Sequence, residues 1–553
     1  MSFTLKQKIE RRFNDLKNDA SDFLESWQIL SEWIQPNRGS FDDADPEKGT
    51  LLDNQDNINN NPRLANRTFA AGMYSGMTNP SRNWFRLEIE DEEEENSHAV
   101  KVWLEALEKK TRTIFAQSNI YQSFYSMYEE ISMFGSTAAL MEEDFEKVVR
   151  LRTFTAGEYF LGNDNNGKVN TFAREFAMSI SNIVDEFGID NVSPGVKSQY
   201  NNKNLDSTVI VRHLITPRKY IANDNKSNLN MPFASYYWEK GGEETKLLKE
   251  SGYKQFPILA PQWGRTKTSD IYGKGSPGWD SIADIKQMQT MEKDKLYNLA
   301  LISDPPVTID SDIEGIDLQP GGITRVNSIT STNTGINPVF SIQADMEKIE
   351  FSIRVVADRI NKTFYSDLFL MFSQSNDPKM TATEVITRDS EKMLALAPVL
   401  DSINNELISP LIEYTVAKII ENGLIEEPPE ELQGREIKID YISMIAQAQK
   451  MVGTNSIEQL VAFIGNLSAV DPTVLDNIDF DETTKIYSTK LGVSPKMLRS
   501  KGDIAALREA RATQMANQQM QENALASIDG AKVLSQTKIQ DNTALTELTG
   551  ATQ

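Results

Sequence analysis

The chain has 553 residues, no cysteine and two histidines, with a net charge of -23 and a pI near 4.7. Disulfides, thiolate nucleophiles and cysteine zinc sites are therefore excluded, and a Ser-His-Asp triad would have to use His98 or His213. The acidic balance argues against tight non-specific nucleic-acid binding, which needs clustered Lys and Arg. A like-charged surface would instead let nucleic acid slide past with little friction.

At 39% hydrophobic and 25% charged residues the composition is that of a soluble protein with real cores. The length allows three or four structural units at roughly 150 residues each. The sequence holds no run of 18 apolar residues, so no membrane span is expected, and MSFTLKQKIERRF lacks the apolar core of a secretion signal.

In chain order, Leu5, Ile9, Phe13, Leu16, Ala20, Phe23, Trp27, Leu30 and Ile34 share one face of a helix that Pro36 ends. Residues 37 to 62 are rich in Asp, Asn and Gly and read as a loop. From Pro62 a short helix carries small residues (Ala65, Ala70, Ala71, Gly72, Gly76) suited to close packing, and Trp84 to Leu87 reads as a strand. After the acidic run Glu90 to Glu95, helices are predicted over Val100 to Phe115 and Tyr121 to Met133. Strands follow at Ala138 to Met141, Val148 to Phe154, Glu158 to Leu161 and Val169 to Phe176, with Asp164 to Gly167 as a hairpin turn. Thr208 to Leu214 and Ser235 to Glu239 add two more. His213 falls mid-strand, where a histidine satisfied by its sheet is the simpler reading than a base.

Gly273-Lys274-Gly275-Ser276-Pro277-Gly278 matches G-x-G-x-x-G ahead of a helix, but Pro277 lies inside it and no βαβ unit surrounds it. A turn redirecting the chain explains it equally. The helix after it runs from Trp279 to Ile302, with Asp280 near its start and Lys293 and Lys295 toward its end, as the helix dipole prefers. Its apolar residues (Ile282, Ile285, Met288, Met291, Leu296, Leu299) occupy more than one face. Asp304-Pro305-Pro306 stops it. About forty residues of strands and turns lead to a second helix over Asp345 to Met371, striped by Met346, Ile349, Ile353, Val356, Ile360, Phe364 and Leu368.

Phe372 to Lys379 reads as a polar loop, and Thr381 with Glu384 forms a capping box for a helix reaching Gly423, kinked at Pro398 and Pro410. Val385, Met393, Leu396, Leu400, Ile403, Leu407, Leu411 and Ile419 mark its buried stripe. Residues 426 to 431 form a linker, and 441 to 512 short helices broken at Gly453, Pro472 and Pro495. From Arg508 onward the Ala, Gln, Asn and Met-rich chain is expected to be weakly helical or disordered alone, and suited to bundling with copies of itself.

The sequence contains no P-loop, H-E-x-x-H, G-x-S-x-G, EF-hand loop or zinc finger. A non-catalytic structural protein is therefore expected, with no cofactor and no metal.

Several segments resemble one family. LANRTFAAGMYSGMTNPSRNWFRL, FGSTAALMEEDF, TAGEYFLGNDNNGKVNTFAREF, YGKGSPGWDSIADIKQMQ, KMTATEVITRDSEKMLALAPVL and LISPLIEYTV are similar, in content and order, to the head-to-tail connector (portal) proteins of short-tailed, T7-like bacteriophages. The resemblance covers roughly residues 1 to 425.

It implies a mainly helical α+β portal fold, closing as a ring of twelve copies around a DNA channel at one capsid vertex. Residues 1–265 would be the wing, 266–303 the first stem helix, 304–342 the clip, 343–371 the second stem helix and 372–380 a tunnel loop. Residues 381–425 would be a long kinked wing helix and 426–553 the crown. The implied stem residues are Trp279, Ile282, Ile285, Met288, Ile349, Ile353, Val356 and Ile360. Ser373, Gln374, Ser375, Asn376 and Lys379 would face DNA in the tunnel loop. In the clip, Ile309, Ile313, Ile316, Arg325 and Val326 would meet terminase and then the tail adaptor. Other implied partners are the major capsid and scaffold proteins and, at the crown, internal core proteins; no membrane is involved. The protein would act in the virion after assembly in the host cytoplasm. The alternatives are a capsid or scaffold protein forming a lattice and a virion-associated hydrolase.

Overall fold

In the computed structural model the described residues are 4–36, 56–89, 98–218, 228–242, 246–265, 267, 270–303, 307–309, 336–338, 345–374, 396–432, 434–435, 437–443, 445–446, 455–468, 471–490, 499, 501–536, 538–539 and 542–543. They fall into two units, Met1–Gly453 and Thr454–Gln553.

The first helix, α1 (Leu5–Ile34), opens with a capping box. Thr4 Oγ1 accepts from the Gln7 N–H at 3.3 Å, and Gln7 Oε1 accepts from the Thr4 N–H at 3.0 Å. The expected stripe is buried from Ile9 to Ile34, although Leu5 is exposed and Phe23 only partly covered. Helix α2 (Asn61–Met77) uses its small residues as read. A side chain at Gly76 would collide with Ile445, and one at Gly72 with the Phe369 ring. Strand β1 (Phe85–Ile89) and helices α3 (His98–Gln117) and α4 (Ile120–Phe134) follow.

Two antiparallel sheets complete this part. Strands β2 (Ala138–Asp144), β3 (Val148–Phe154) and β9 (Ile258–Leu259) form one in the order β3-β2-β9. The other is β4 (Tyr159–Asn163), β5 (Val169–Ser179), β6 (Thr208–Pro217), β7 (Phe233–Glu239) and β8 (Lys249–Tyr253), in sequence order. In the second sheet each strand pairs with the next along the chain. Between β5 and β6 lie two helices absent from the sequence reading, α5 (Ile180–Phe187) and α6 (Pro194–Asn201). Ile180, Ile183, Phe187, Val192, Val196, Val211 and Leu248 give them a small core of their own.

Helix α7 (Pro277–Ser303) and helix α8 (Met346–Thr363) bracket β10 (Val307–Ile309) and β11 (Ile336–Pro338), which pair antiparallel. The second of the two long helices is shorter than expected. Tyr365 takes a left-handed backbone (φ 54°) and a separate helix, α9 (Ser366–Gln374), starts after it. Phe364 and Leu368 stay buried across the break, which is why periodicity alone did not reveal it. The break lets Phe369 pack edge-on against Phe69 of α2, ring centroids 5.2 Å apart.

Residues 396–403 are helical, and the expected kink at Pro410 takes the form of a π-helical turn at Asn404–Ile408 leading into the helix Ser409–Glu421. Proline has no N–H for the ordinary ladder; the Ser409 N–H bonds five residues back to the Asn404 carbonyl. The capping box at Thr381 and the stripe residues Val385 and Met393 lie outside the described residues. So does most of the clip: the backbone of Ile309 belongs to β10, while Ile313, Ile316, Arg325 and Val326 lie outside the described residues.

The linker at 426–431 is not the end of the first unit. Strand β12 (Ile437–Tyr441) returns to pair antiparallel with β1, from Phe85 opposite Tyr441 to Ile89 opposite Ile437. The first unit therefore extends to Gly453 rather than stopping near 426.

The second unit holds the helices Asn455–Ser468, Phe480–Lys490 and Lys501–Gln536, with Pro472 opening a 3₁₀ turn. The segment expected to be weakly helical is a 36-residue helix. Its Ala, Gln, Met, Leu and Arg content contributes favourable propensity at most positions, and it contains no proline.

Candidate assembly interface

The stem expected from the sequence is a helical hairpin, and its base is built on the end of α4. Gly135 ends α4 with a left-handed backbone (φ 83°), leaving the carbonyls of Met133 and Phe134 to find partners elsewhere. The Phe134 carbonyl accepts from two indoles, Trp27 Nε1 at 3.3 Å and Trp279 Nε1 at 3.0 Å. Ser276 Oγ donates to the Met133 carbonyl at 3.1 Å.

The glycine-rich turn exists for this contact. A Cβ on Gly278 would sit 2.3 Å from the Met133 carbonyl oxygen, and one on Gly273 would sit 2.1 Å from that of Gly135. Gly275 supplies a left-handed turn (φ 73°). Backbone packing against backbone accounts for Gly273 and Gly278, and the left-handed turn for Gly275, without a nucleotide.

From that base α7 buries Ile285, Met288 and the amide of Gln289. Gln289 Oε1 accepts from the N–H groups of Ile58 (2.8 Å) and Asn59 (2.7 Å), while its Nε2 donates to Asn57 Oδ1 and the Asn59 carbonyl. The chain entering α2 is thus fastened to α7. No feature of the sequence marked Gln289, because one amide holding four groups depends on a loop conformation.

Helix α8 runs antiparallel to α7. Arg359 meets Asp284 near the base at 3.1 Å, and Lys295 pairs with Glu350 farther out. Of the expected stem residues, Ile285, Met288, Ile353, Val356 and Ile360 are buried within this chain, and Trp279, Ile282 and Ile349 are partly buried against the same core.

Other residues face outward. On α7 the stripe Ile285, Met288, Glu292, Leu296, Leu299 continues at steps of three and four past its cover, leaving Leu296 51% and Leu299 43% exposed. Tyr297 and Ile302 are exposed beside it. On α8, Phe351 (66% exposed) and Val355 lie two residues either side of buried Ile353, hence on the far side of that helix. The hairpin therefore carries two separate apolar surfaces. Leu296 and Leu299 were legible as apolar positions of α7; Tyr297, Phe351 and Val355 fell outside the stripe being followed.

Of the expected channel residues, Ser373 and Gln374 close α9 instead of opening a loop. Ser375, Asn376 and Lys379 lie outside the described residues.

The alternative chemistry would have needed His213. It lies fully buried in β6, stacked on Tyr237 with ring centroids 3.8 Å apart, and Nε2 is 3.0 Å from Ser235 Oγ. Its Nδ1 has no partner, so the strand satisfies one ring nitrogen and not both. Burial, with Arg174 and Arg152 nearby, holds the imidazole well below its usual pKa and therefore neutral. Among the described residues no group of three or more His, Asp or Glu is placed to hold a metal ion, and no helix is long and apolar enough to cross a membrane.

The family described as bacteriophage head to tail connecting protein matches residues 6–498, and the chain belongs to that family. It is 36% identical to the probable portal protein of Bordetella phage BPP-1 over 544 residues, covering 98% of this chain and 97% of that one. It is 34% identical to the portal protein of Salmonella phage epsilon15 over 553 residues, covering 100% and 99%. Among solved structures, a chain from the neck of an empty gene transfer agent particle is similar at 12% identity and a TM-score of 0.34, covering 85% of this chain and 100% of that one.

Proposed function

We propose that the chain is a phage portal, the head-to-tail connector, and that it acts as a closed ring of twelve copies at one capsid vertex. The observation supporting the ring is the pair of apolar surfaces on the α7–α8 hairpin, Leu296 and Leu299 on one helix and Phe351 and Val355 on the far side of the other. Two different patches that each need covering suit a heterologous, head-to-tail contact, which generates a ring when its rotation closes. A two-fold dimer would instead use one patch twice.

In this reading residues 1–265 with 381–425 form the wing, the α7–α8 hairpin the stem, 304–342 the clip, and the residues that follow α9 up to 380 the tunnel loop, with Ser373 and Gln374 at the helix end leading into it. The clip takes terminase during packaging and the tail adaptor afterwards. Ile309, Ile313, Ile316, Arg325 and Val326 make those contacts. Double-stranded DNA passes Ser373, Gln374, Ser375, Asn376 and Lys379, whose short polar side chains and single cation grip it weakly. The crown begins after Gly453, not at 426, and faces capsid contents such as internal core proteins. Capsid and scaffold proteins surround the wing, and the work is binding and positioning rather than catalysis. Assembly takes place in the host cytoplasm and the product resides in the virion.

The deciding measurement is the native mass of the purified chain, with end-on images of the particles. A closed ring with a central hole is expected. An open sheet or a persistent monomer that turns over a substrate would refute the proposal.

A further inference from the structure

The two apolar surfaces of the α7–α8 hairpin fit one another in a single register. Along α7, Lys293, Leu296, Tyr297 and Ala300 are all exposed, and so are Leu296, Leu299, Ala300 and Ser303. Each set has the spacing i, i+3, i+4, i+7, the four corners of a hole that receives one side chain from a facing helix. Along α8, Phe351 and Val355 stand one turn apart on the side opposite buried Ile353, as two knobs for two adjoining holes would. Within one chain they cannot meet, because α8 turns its knobs away from α7.

Ion pairs inside the hairpin fix the relative heights. Asp284 faces Arg359 and Lys295 faces Glu350, so each step outward along α7 is one step back along α8. On that scale Phe351 is level with Lys293 and Val355 with Gln289 of the same chain. Two hairpins side by side at equal height would therefore put Phe351 of one among Thr290, Lys293 and Asp294 of the next, which are all polar. An outward shift of about 10 Å along the helix puts Phe351 into the hole of Leu296, Leu299, Ala300 and Ser303 instead. The same shift puts Val355 into the hole of Lys293, Leu296, Tyr297 and Ala300. Exposed Asp358 then comes level with Lys293, which its bond to Asp56 leaves 63% exposed, so opposite charges meet where the apolar contact ends.

We infer that the occupant of these holes is α8 of a second copy, with Phe351 and Val355 of one chain seated between the α7 corners of the next in this staggered register. The contact presupposes the ring proposed above and assigns its residue pairs and its offset. Copies in a closed ring share one height. With neighbouring hairpins about 16–20 Å apart, two helix spacings, an offset of about 10 Å requires each hairpin to lean about 30–40° from the ring axis.

The chain has no cysteine, so introduced cysteines can pair only with each other. Chains carrying Tyr297→Cys and chains carrying Val355→Cys are mixed, assembled and oxidised; a second mixture uses Thr290→Cys in place of Tyr297→Cys. All three sites are exposed, so folding should be unaffected. A disulfide needs Cα atoms about 4.4–6.8 Å apart. In the staggered register Val355 is level with the Tyr297 turn and about 9 Å along the helix from Thr290, and at equal height the order reverses. Disulfide-linked dimers are expected from the 297–355 mixture at least about tenfold above the 290–355 mixture. Chains carrying both Tyr297→Cys and Val355→Cys should give a ladder of higher multiples that a reductant collapses.

An equal or greater yield from the 290–355 mixture would overturn the staggered register. Rings that form neither disulfide would overturn the contact altogether and leave the ring to another face of the molecule. An unsubstituted chain that forms no ring would instead sink the ring proposal, and this contact with it.

Discussion

Replacing Gly278 by alanine tests the claim that the glycine turn serves backbone contact. The new Cβ would stand 2.3 Å from the Met133 oxygen and 3.0 Å from the Met133 carbonyl carbon and Cα. An ordinary carbon–oxygen approach is about 3.3–3.6 Å, so α7 and the end of α4 must separate by roughly 1 Å. Neither side is a flexible side chain that could swing away. Overpacking of this kind costs about 1–3 kcal/mol. The separation also breaks the Trp279–Phe134 and Ser276–Met133 hydrogen bonds, at about 0.5–1.5 kcal/mol each. Alanine's better helix propensity returns at most about 1 kcal/mol, leaving a net loss of about 1–5 kcal/mol.

The assay is thermal unfolding followed by tryptophan fluorescence, with Gly264→Ala as control. There the added Cβ would meet only the Lys274 carbonyl at 3.5 Å, an ordinary contact. The expected result is a melting temperature lowered by several degrees for Gly278→Ala and unchanged for the control. If both variants melted with the wild type, the close-approach argument would be wrong.

Three further outcomes are expected. Phe351→Asp or Leu299→Glu should leave the melting of the isolated chain within about 0.5 kcal/mol, because both sites are exposed, yet shift native mass from ring to monomer. For pH, His213 is neutral when folded and has the ordinary value near 6.5 when unfolded. Its contribution is therefore fully present above about pH 6.5 and declines at about 1.4 kcal/mol per unit as pH falls below that. His213→Gln should flatten the pH dependence of stability below 6.5, and an unchanged slope would refute the neutral assignment. Finally, a chain ending at residue 436 should unfold or aggregate, because β1 loses its partner strand. One ending at 453 should stay soluble with its α+β circular dichroism intact.

Much of the fold was legible because the strongest periodicities were long. Ile9 to Ile34 wrote α1 over about seven turns, and Asp164 to Gly167 marked a hairpin whose Gly167 takes φ 80°. What escaped was decided at a distance. The break at Tyr365 leaves the buried stripe unbroken, so it is visible only once α2 is there to receive Phe369. Strand β12 was hidden behind the linker at 426–431, whose Pro428 and Pro429 read as a boundary, since pairing across more than three hundred residues leaves no local trace. The candidate interface divided similarly. The inward stripe of α8 announced itself through Ile353, Val356 and Ile360, whereas Phe351 and Val355 broke that pattern and gained meaning only when their burial was known.

The way α7 is mounted has a mechanical consequence. It is 27 residues long, about 40 Å, but the residues it buries lie between Pro277 and Gln289. The hairpin is in effect a lever clamped at one end, with Trp27 and Trp279 gripping the same carbonyl at the pivot. Tilting the base by about 5° would carry a tip about 36 Å from that pivot through about 3 Å. Side by side in a closed circle, such levers would foul one another unless all tilted together, so the aperture they enclose would widen or narrow as one diaphragm.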